Sequence, residues 1–301
     1  MSEIQIIKRN GNKDTLDLEK LHKVVFYACD NIKGVSASEV EIKSSLQFYN
    51  GITSSEIQET LIKSAADLIS EEQPNYQWVA GRLICYHLRK MVYGQFEPWH
   101  ILKLVQTNVE EGFYDSELLE KYTEEEWNEL NSHLKHDRDE NMTYAAMEQW
   151  RGKYLVQNRV TNIIKETPQM AYMLISATLF AEYPRDTRLQ WVKDYYDAIS
   201  LFYISLPTPV MAGVRTPQRQ FSSCVLIETD DSLDSINATT SSIVKYVSAK
   251  AGIGIGAGNI RALGSPIRRG DAYHTGVVPF YKMFQSATRS CSQGGVRNGA
   301  A

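Results

Sequence analysis

Cys224 stands in Gln220-Phe-Ser-Ser-Cys224-Val-Leu-Ile, at the head of a short apolar run. A thiol at that point of a strand is either a small core residue or a redox group, and free cysteine is most often the former. Cys29, Cys85 and Cys291 take the core reading. The four cysteines are far apart, with no Cys-x-x-Cys pair. That spacing excludes a zinc ribbon or a disulfide scaffold, offers no metal-ligand set, and fits a reducing cytoplasm.

Asp231-Ser232-Leu233 precedes an apolar-periodic stretch and should open a helix. Free N–H groups and the positive dipole end there can meet an anion, although capping alone accounts for the residues. Arg261 and Arg268 flank Ala-Leu-Gly-Ser-Pro-Ile. Two guanidinium forks on one loop suit a phosphate, or are two solvated arginines. Ala251 to Gly258 alternates glycine with small apolar residues, which is not the GxGxxG opening of a dinucleotide fold. It predicts a strand whose glycine face something else approaches closely. Ser292-Gln-Gly-Gly-Val-Arg297-Asn-Gly299 reads as a mobile loop with one cation. Lys8, Arg9, Lys20 and Lys90 make a nucleotide site only if the fold assembles them; otherwise they are a solvated basic face.

The elements that must position these residues begin with a small N-terminal module. Ile4 to Lys8 and Lys13 to Leu16 form a hairpin around Asn10-Gly11-Asn12. Asp17 caps a helix with the stripe Leu21, Val24, Val25 and Ala28. Thr53-Ser-Ser-Glu56 is a capping box ahead of Ile57, Leu61, Ala65 and Leu68. Pro74 sits early in a helix carrying Val79, Leu83, Tyr86 and Lys90, and Gly94 to Pro98 ends it. The middle is mainly helical: Thr123 to Glu126 is a second capping box, and Thr167-Pro168 opens a helix apolar nearly all round, which should be buried. Ser205 to Pro209 reads as a rigid extended link. Phe221 to Ile227 reads as a buried strand, followed by a helix with Leu233, Ile236, Ile243, Val244 and Val247 on one face. Strand, polar turn and helix begin an α/β unit.

The chain has 301 residues, 43% apolar and 23% charged, enough for about two packed domains at roughly 150 residues each. No apolar run reaches the ~18 residues of a membrane helix, and the first residues lack a signal peptide's apolar stretch. A net charge of −4 disfavours nucleic acid as a partner. Charge is uneven: Val109 to Glu140 holds twelve acids and three bases, whereas Lys245 to Arg297 holds eight bases and one acid. Ten of the 18 glycines follow Ala251. A basic, glycine-rich stretch inside an acidic protein suggests a bound anion, or else a glycine-rich sheet edge with solvated arginines.

Long segments of this chain resemble the large subunit of class I (aerobic) ribonucleoside-diphosphate reductase. They are Lys153 to Arg159, Arg219 to Glu228, Asp231 to Ala238, Ala251 to Ile255, Arg261 to Arg268 and Ser290 to Arg297. Residues 1–94 resemble that family's ATP-cone, with Lys8-Arg9-Asn-Gly at its start and Gln95-Phe-Glu-Pro98 at its exit. The resemblance is collinear over essentially the whole chain. It implies an α+β and α/β architecture: an ATP-cone of β-hairpin plus helical bundle (1–94), a mainly helical region (95–204), and the first part of a ten-stranded α/β barrel (205–301).

The resemblance also implies roles. Cys224 matches the first cysteine of the redox pair that reduces the ribose 2′ position. Thr208, Ser223, Ser292, Gln293, Gly294, Gly295 and Arg297 match substrate-side positions, the last five on the loop that carries the effector's message to the substrate base. Asp231, Ser232, Leu233, Arg261 and Arg268 match the effector site that selects the substrate. Lys8, Arg9, Asp14, Thr15, Leu16, Asp17, Leu18, Glu19, Lys20, Ser54 and Lys90 match the cone's nucleotide contacts. A histidine commonly stands where this sequence has Gln58, a departure that bears on inhibition by dATP. The implied ligands are ATP and dNTP effectors, with no group bound covalently to this chain. The implied partners are a radical-generating small subunit with its own metal cofactor, thioredoxin or glutaredoxin as reductant, and a second copy at a dimer boundary.

The family's large subunit continues past this point, to the thiyl-radical cysteine, the second redox cysteine, the relay tyrosines and the C-terminal thiols. The expectation is therefore a naturally split large subunit whose C-terminal half is a separate chain, with truncation as the alternative. A nucleotide-binding regulatory protein without catalytic duty and a purely structural scaffold are the readings from other classes. The cobalamin-dependent or glycyl-radical branches are the alternative within reductases.

Overall fold

The computed structural model describes residues 4–249 and 251–291. The chain divides into two compact units, Met1–Ser205 and Leu206–Ala301.

In the first unit, β1 (Gln5–Ile7) pairs antiparallel with β2 (Lys13–Thr15), Ile6 opposite Asp14. The sequence reading missed β3 (Ile52–Thr53), which adds parallel to β1 and gives the order β2-β1-β3. Two residues are too few to show alternation, and the partner is some 45 positions away. Helix α1 (Leu18–Cys29) starts where Asp17, in extended conformation, accepts from the Lys20 N–H at 3.1 Å. It buries Leu21, Val25 and Ala28. Helix α2 (Ala37–Ser45) leads to α3 (Ser54–Ala66), which carries the expected Thr53–Glu56 capping box.

Helix α4 (Tyr76–Tyr93) is the central post, packed against α1, α3 and a later helix that begins at Tyr144. Pro74 lies in the turn before it rather than inside it, and Gly94 ends it in the left-handed conformation at φ 71°. Gly81 is required on this helix, because an added Cβ would lie 2.1 Å from the Met142 carbonyl oxygen.

The rest of the unit is α5 (Ile101–Glu110), α6 (Glu117–Lys121), α7 (Glu124–His133) and α8 (Tyr144–Gln149), a small hairpin of β4 (Gln157–Asn158) and β5 (Ile163–Ile164), then α9 (Pro168–Leu179) and α10 (Arg188–Ser200). A 3₁₀ segment spans His136–Asn141, and α8 runs directly into a π-helical turn, Trp150–Tyr154. The second capping box, Thr123 with Glu126, starts α7. Thr167 is the N-cap of α9, but its hydroxyl bonds the Tyr93 hydroxyl at 2.8 Å instead of the helix. Every residue from Pro168 to Ala177 is buried, as the all-apolar pattern predicts.

In the second unit the expected extended link is partly helical: α11 spans Thr208–Gly213, with Pro209 in the first turn, where its missing N–H is not needed. Strand β6 (Cys224–Glu228) runs parallel to β7 (Gly252–Gly256), joined by α12 (Leu233–Ser248), a β-α-β unit. Beyond it lie the small hairpin β8 (Pro266–Ile267) and β9 (Ala272–Tyr273), then α13 (Val278–Ser290). Ile236, Ile243 and Val247 of α12 form the core with Ile253, Ala257, Ile260 and Phe284. Leu233 and Val244, expected on that face, are exposed.

One expectation is corrected here. Strand β6 is not buried: Cys224, Leu226 and Glu228 are exposed, with Leu226 at 85%, while Val225 and Ile227 are half-buried. The helices cover one face of the two-stranded sheet, and among the described residues no strand or helix covers the other. Among the described residues no closed barrel is present.

Candidate functional site

In the N-terminal module a cavity of about 710 Å³ opens between the hairpin, α1, α3 and α4. It gathers Lys8, Arg9, Asp14, Thr15, Leu16, Asp17, Lys20, Ser54 and Lys90 from four elements. Leu18 and Glu19 do not line it; Leu18 is 66% exposed on the outside of α1. Lys23 and Tyr27, which the sequence reading did not name, complete it, with Asn10 and Tyr86, read there as turn and helix-stripe residues. Lys23 and Tyr27 follow Lys20 at three and seven residues along α1, a spacing that could have marked them, whereas Tyr86 is brought in by the packing of α4.

The cavity lining is of two chemical kinds. Ile6, Leu16, Leu21, Val24 and Ile57 with the two tyrosine rings form an apolar part. Five cations (Lys8, Arg9, Lys20, Lys23, Lys90) face two carboxylates, Asp14 and Asp17, leaving an excess of three positive charges. Lys8 forms an ion pair with Asp14, and Lys20 lies 3.1 Å from Asp17. The hydrogen bond from Lys8 holds the Asp14 carboxyl below the usual range, and the Lys20 N–H does the same for Asp17. The Lys90 ammonium sits 5.7 Å from the centre of the Tyr86 ring. Burial and a hydrogen bond to Glu140 raise the Tyr27 pKa, so its phenol stays neutral. Gln58 lines the cavity with a buried Oε1 that has no partner. A cleft lined by apolar and cationic side chains fits a planar base carrying a polyphosphate.

In the second unit Cys224 opens β6 opposite Gly252. Its sulfur lies 3.7 Å from where a Gly252 Cβ would stand. The glycine face is indeed approached closely, by the side chains of the neighbouring strand. A Cβ on Gly254 would meet Leu226 Cδ2 at 2.7 Å, and one on Gly256 would meet the Glu228 carboxylate at 2.2–2.5 Å. Cys224 is exposed and makes no disulfide. Ser223 is exposed, and its carbonyl accepts from the Gly252 N–H at 2.9 Å. Thr208 is the first residue of α11.

The turn after β6 is tightly built. The buried hydroxyls of Thr229 and Thr239 meet at 2.9 Å, tying the strand end to α12. Ser232 caps α12 by accepting from the Ser235 N–H at 3.1 Å. Asp231 takes both the Arg261 side chain at 2.6 Å and the Arg261 backbone N–H at 3.1 Å. The backbone bond, followed by the guanidinium, holds the Asp231 carboxyl below its usual range. Leu233, the first residue of α12, is 75% exposed. Arg268 and Arg269 are both left-handed, at φ 52° and 59°, on the turn joining β8 and β9. Ser292, Gln293, Gly294, Gly295 and Arg297 lie outside the described residues. Among the described residues there is no group of three or more His, Cys, Asp or Glu fit to hold a metal ion, and no helix long and apolar enough to cross a membrane.

Residues 4–91 match the family described as "ATP cone domain", residues 140–219 "Ribonucleotide reductase, all-alpha domain" and residues 222–301 "Ribonucleotide reductase, barrel domain". The chain is 60% identical over 296 residues to "Ribonucleoside-diphosphate reductase 1 subunit alpha" of Escherichia coli (strain K12), covering 98% of this chain and 39% of that protein. It is 48% identical to the "Ribonucleoside-diphosphate reductase subunit alpha" of Enterobacteria phage T4, over 100% of this chain and 40% of the relative. The corresponding protein of Synechocystis sp. is 32% identical, over 99% and 38%. The chain thus spans about two fifths of the length of these relatives.

Proposed function

This chain belongs to the ribonucleotide reductase family, and from that premise we propose that it supplies the allosteric nucleotide sites and one reducing thiol of an enzyme converting ribonucleoside diphosphates to deoxyribonucleoside diphosphates. The observation that carries the reading is the cavity of the N-terminal module, with its apolar lining and three excess positive charges. It takes ATP or a deoxynucleoside triphosphate, the phosphates meeting Lys8, Arg9, Lys20 and Lys90. The Asp231–Arg261 pair with Arg268 and the capped start of α12 takes a second, specificity-setting dNTP.

Cys224 is the thiol of the reaction. With a second cysteine on the C-terminal portion of the large subunit, it reduces C2′: the C–O bond breaks, water leaves, a C–H bond forms, and the two thiols become one disulfide. The initiating oxidant is the radical of a separate small subunit with its metal cofactor. The disulfide is reduced by an external dithiol protein such as thioredoxin or glutaredoxin. Two features of this chain's own geometry support the reading. The solvent-facing position of Cys224 leaves its sulfur open to a facing element. Gly252 opposite leaves space around it. The C-terminal portion of the large subunit, on this or a second polypeptide, completes the cavity, and a second copy pairs with this chain at the dimer boundary.

Equilibrium titration of the chain with ATP and with dTTP tests the reading. Two independent sites are expected, the ATP site weakened in a Lys8→Ala, Lys90→Ala double variant and the dTTP site in Arg261→Ala. Absence of both binding events overturns it.

A further inference from the structure

A line of charged and polar contacts leaves the nucleotide cavity and enters the helical region of the same unit. The Arg9 guanidinium, on the cavity wall, lies 3.3 Å from His87 Nδ1. Arginine can only donate, so Nδ1 accepts and the single proton of a neutral ring must sit on Nε2. Nε2 faces Glu59 Oε1 at 3.4 Å. Glu59 in turn holds Arg151, at 2.7 Å to one guanidinium nitrogen and 3.3 Å to another. Arg151 is gripped from its other side by Glu148, at 2.6 and 3.0 Å. The Arg151 carbonyl accepts from the Gln157 side chain at 2.9 Å, tying the line to β4.

His87 is the joint of this line. It is 2% exposed on α4, and burial, aided by Arg9 and Arg151, lowers its pKa to about 4 against the pull of Glu59. The ring is therefore neutral at physiological pH, and its tautomer is fixed by its two neighbours. Arg151 sits inside the π-helical turn Trp150–Tyr154, whose Trp150 ring packs on Tyr154 and Tyr172. Such turns interrupt regular α-helix bonding and are frequent at functional sites.

We propose that Arg151, through Glu59 and His87, is a positioning residue for Arg9, so that nucleotide binding in the cavity and the order of the Trp150–Tyr154 turn are coupled. The inference rests on the reading of the cavity as a nucleotide site and adds where its message goes. A triphosphate drawing on Arg9 changes the partner of His87 Nδ1. The change is felt at Glu59 and then at the two-carboxylate clamp around Arg151. A contiguous set of contacts can carry coupling of this kind, and each link here is within 3.4 Å. It is also reciprocal: loosening the turn must weaken the nucleotide.

The test uses the 301-residue chain and MgATP. In the unmodified chain, amide exchange over residues 150–158 should slow on saturation with MgATP. Arg151→Met should weaken MgATP about five- to tenfold, the size of an ordinary allosteric coupling, and abolish that protection. Glu59→Gln should do the same without changing side-chain size. Arg151→Lys should recover part of the affinity, since lysine keeps the charge but not the fork. Lys193→Met, which breaks an ion pair with Glu129 elsewhere in the helical region, should leave MgATP affinity unchanged. Unaltered exchange at 150–158 in the unmodified chain, or undiminished affinity in a folded Arg151→Met chain, overturns the proposal while leaving the nucleotide site standing. If the unmodified chain binds no MgATP, the reading of the cavity falls and this inference with it.

Discussion

Arg261 grips Asp231 twice, once through its guanidinium Nε at 2.6 Å and once through its own backbone N–H at 3.1 Å. One carboxylate thereby fixes both the loop carrying Arg261 and the direction of its side chain. The pair is partly solvent-exposed, so screening by water leaves it little weight in stability. Its worth lies in aim. Asp231→Asn should keep the backbone bond and lose the charge pairing. Calorimetric titration should then show dTTP weakened by about tenfold, with the melting temperature within about 2 °C of the parent. An unchanged dTTP affinity would remove Asp231 from the site.

Cys224 is exposed on a strand that places no bulk opposite its sulfur. Cys224→Ser should leave folding and ATP binding intact and abolish reduction of CDP in the completed enzyme. The sharper measurement is alkylation: iodoacetamide should modify Cys224 well before Cys85, which is buried and whose thiol burial pushes above the ordinary value.

Two glycine substitutions should separate cleanly. Gly81→Ala forces a Cβ to within 2.1 Å of a backbone oxygen that cannot swing away. It should destabilise by about 1–3 kcal/mol in urea melts. Gly256→Ala meets only the flexible carboxylate end of Glu228 and should cost well under 1 kcal/mol. Equal effects would mean that the Met142 segment does not press on α4 as described.

Asp139 provides a pH signature. It is fully buried between α4 and α9; one oxygen accepts from Gln169 at 2.9 Å and the other has no partner. Burial pushes its pKa up to about 7, against the opposing pull of Gln169 and Arg89. The folded chain keeps this proton to about pH 7, whereas the unfolded chain releases it near the model-peptide value of about 4. The group's contribution is therefore complete below about pH 4 and lost as pH rises to 7. Asp139→Asn cannot ionise, so its stability relative to the parent should climb between pH 5 and pH 8, by on the order of 3 kcal/mol. Buried His87 and His136, both lowered to about 4, destabilise the fold as pH falls below 6.5, but equally in both proteins. A pH-independent difference would refute the protonated carboxyl.

What the sequence made legible was local. Thr53 with Glu56, Thr123 with Glu126 and Asp17 ahead of α1 announce their helices within four residues, and each cap forms as expected. The basic residues of the hairpin and Asp231 with Arg261 were recognisable from their motifs, and the fold brings each set together. Long-range partners were not. Strand β3 is two residues long, and the Arg9–His87 contact joins positions 78 apart. The apolar Val225-Leu226-Ile227 run reads as buried on both sides, yet period-2 geometry sends Leu226 to the uncovered face. Composition cannot tell which face a neighbouring element will cover.

Arg268 and Arg269 turn against the natural hand of an L-polypeptide, one after the other, with Gly270 continuing the bend at φ 92°. Each arginine costs about 1–2 kcal/mol there, which glycine would avoid. A sequence shaped by folding alone would relax at both positions. This one keeps two guanidinia on a wound loop, so glycine at either position would relax the turn at the loss of a cation.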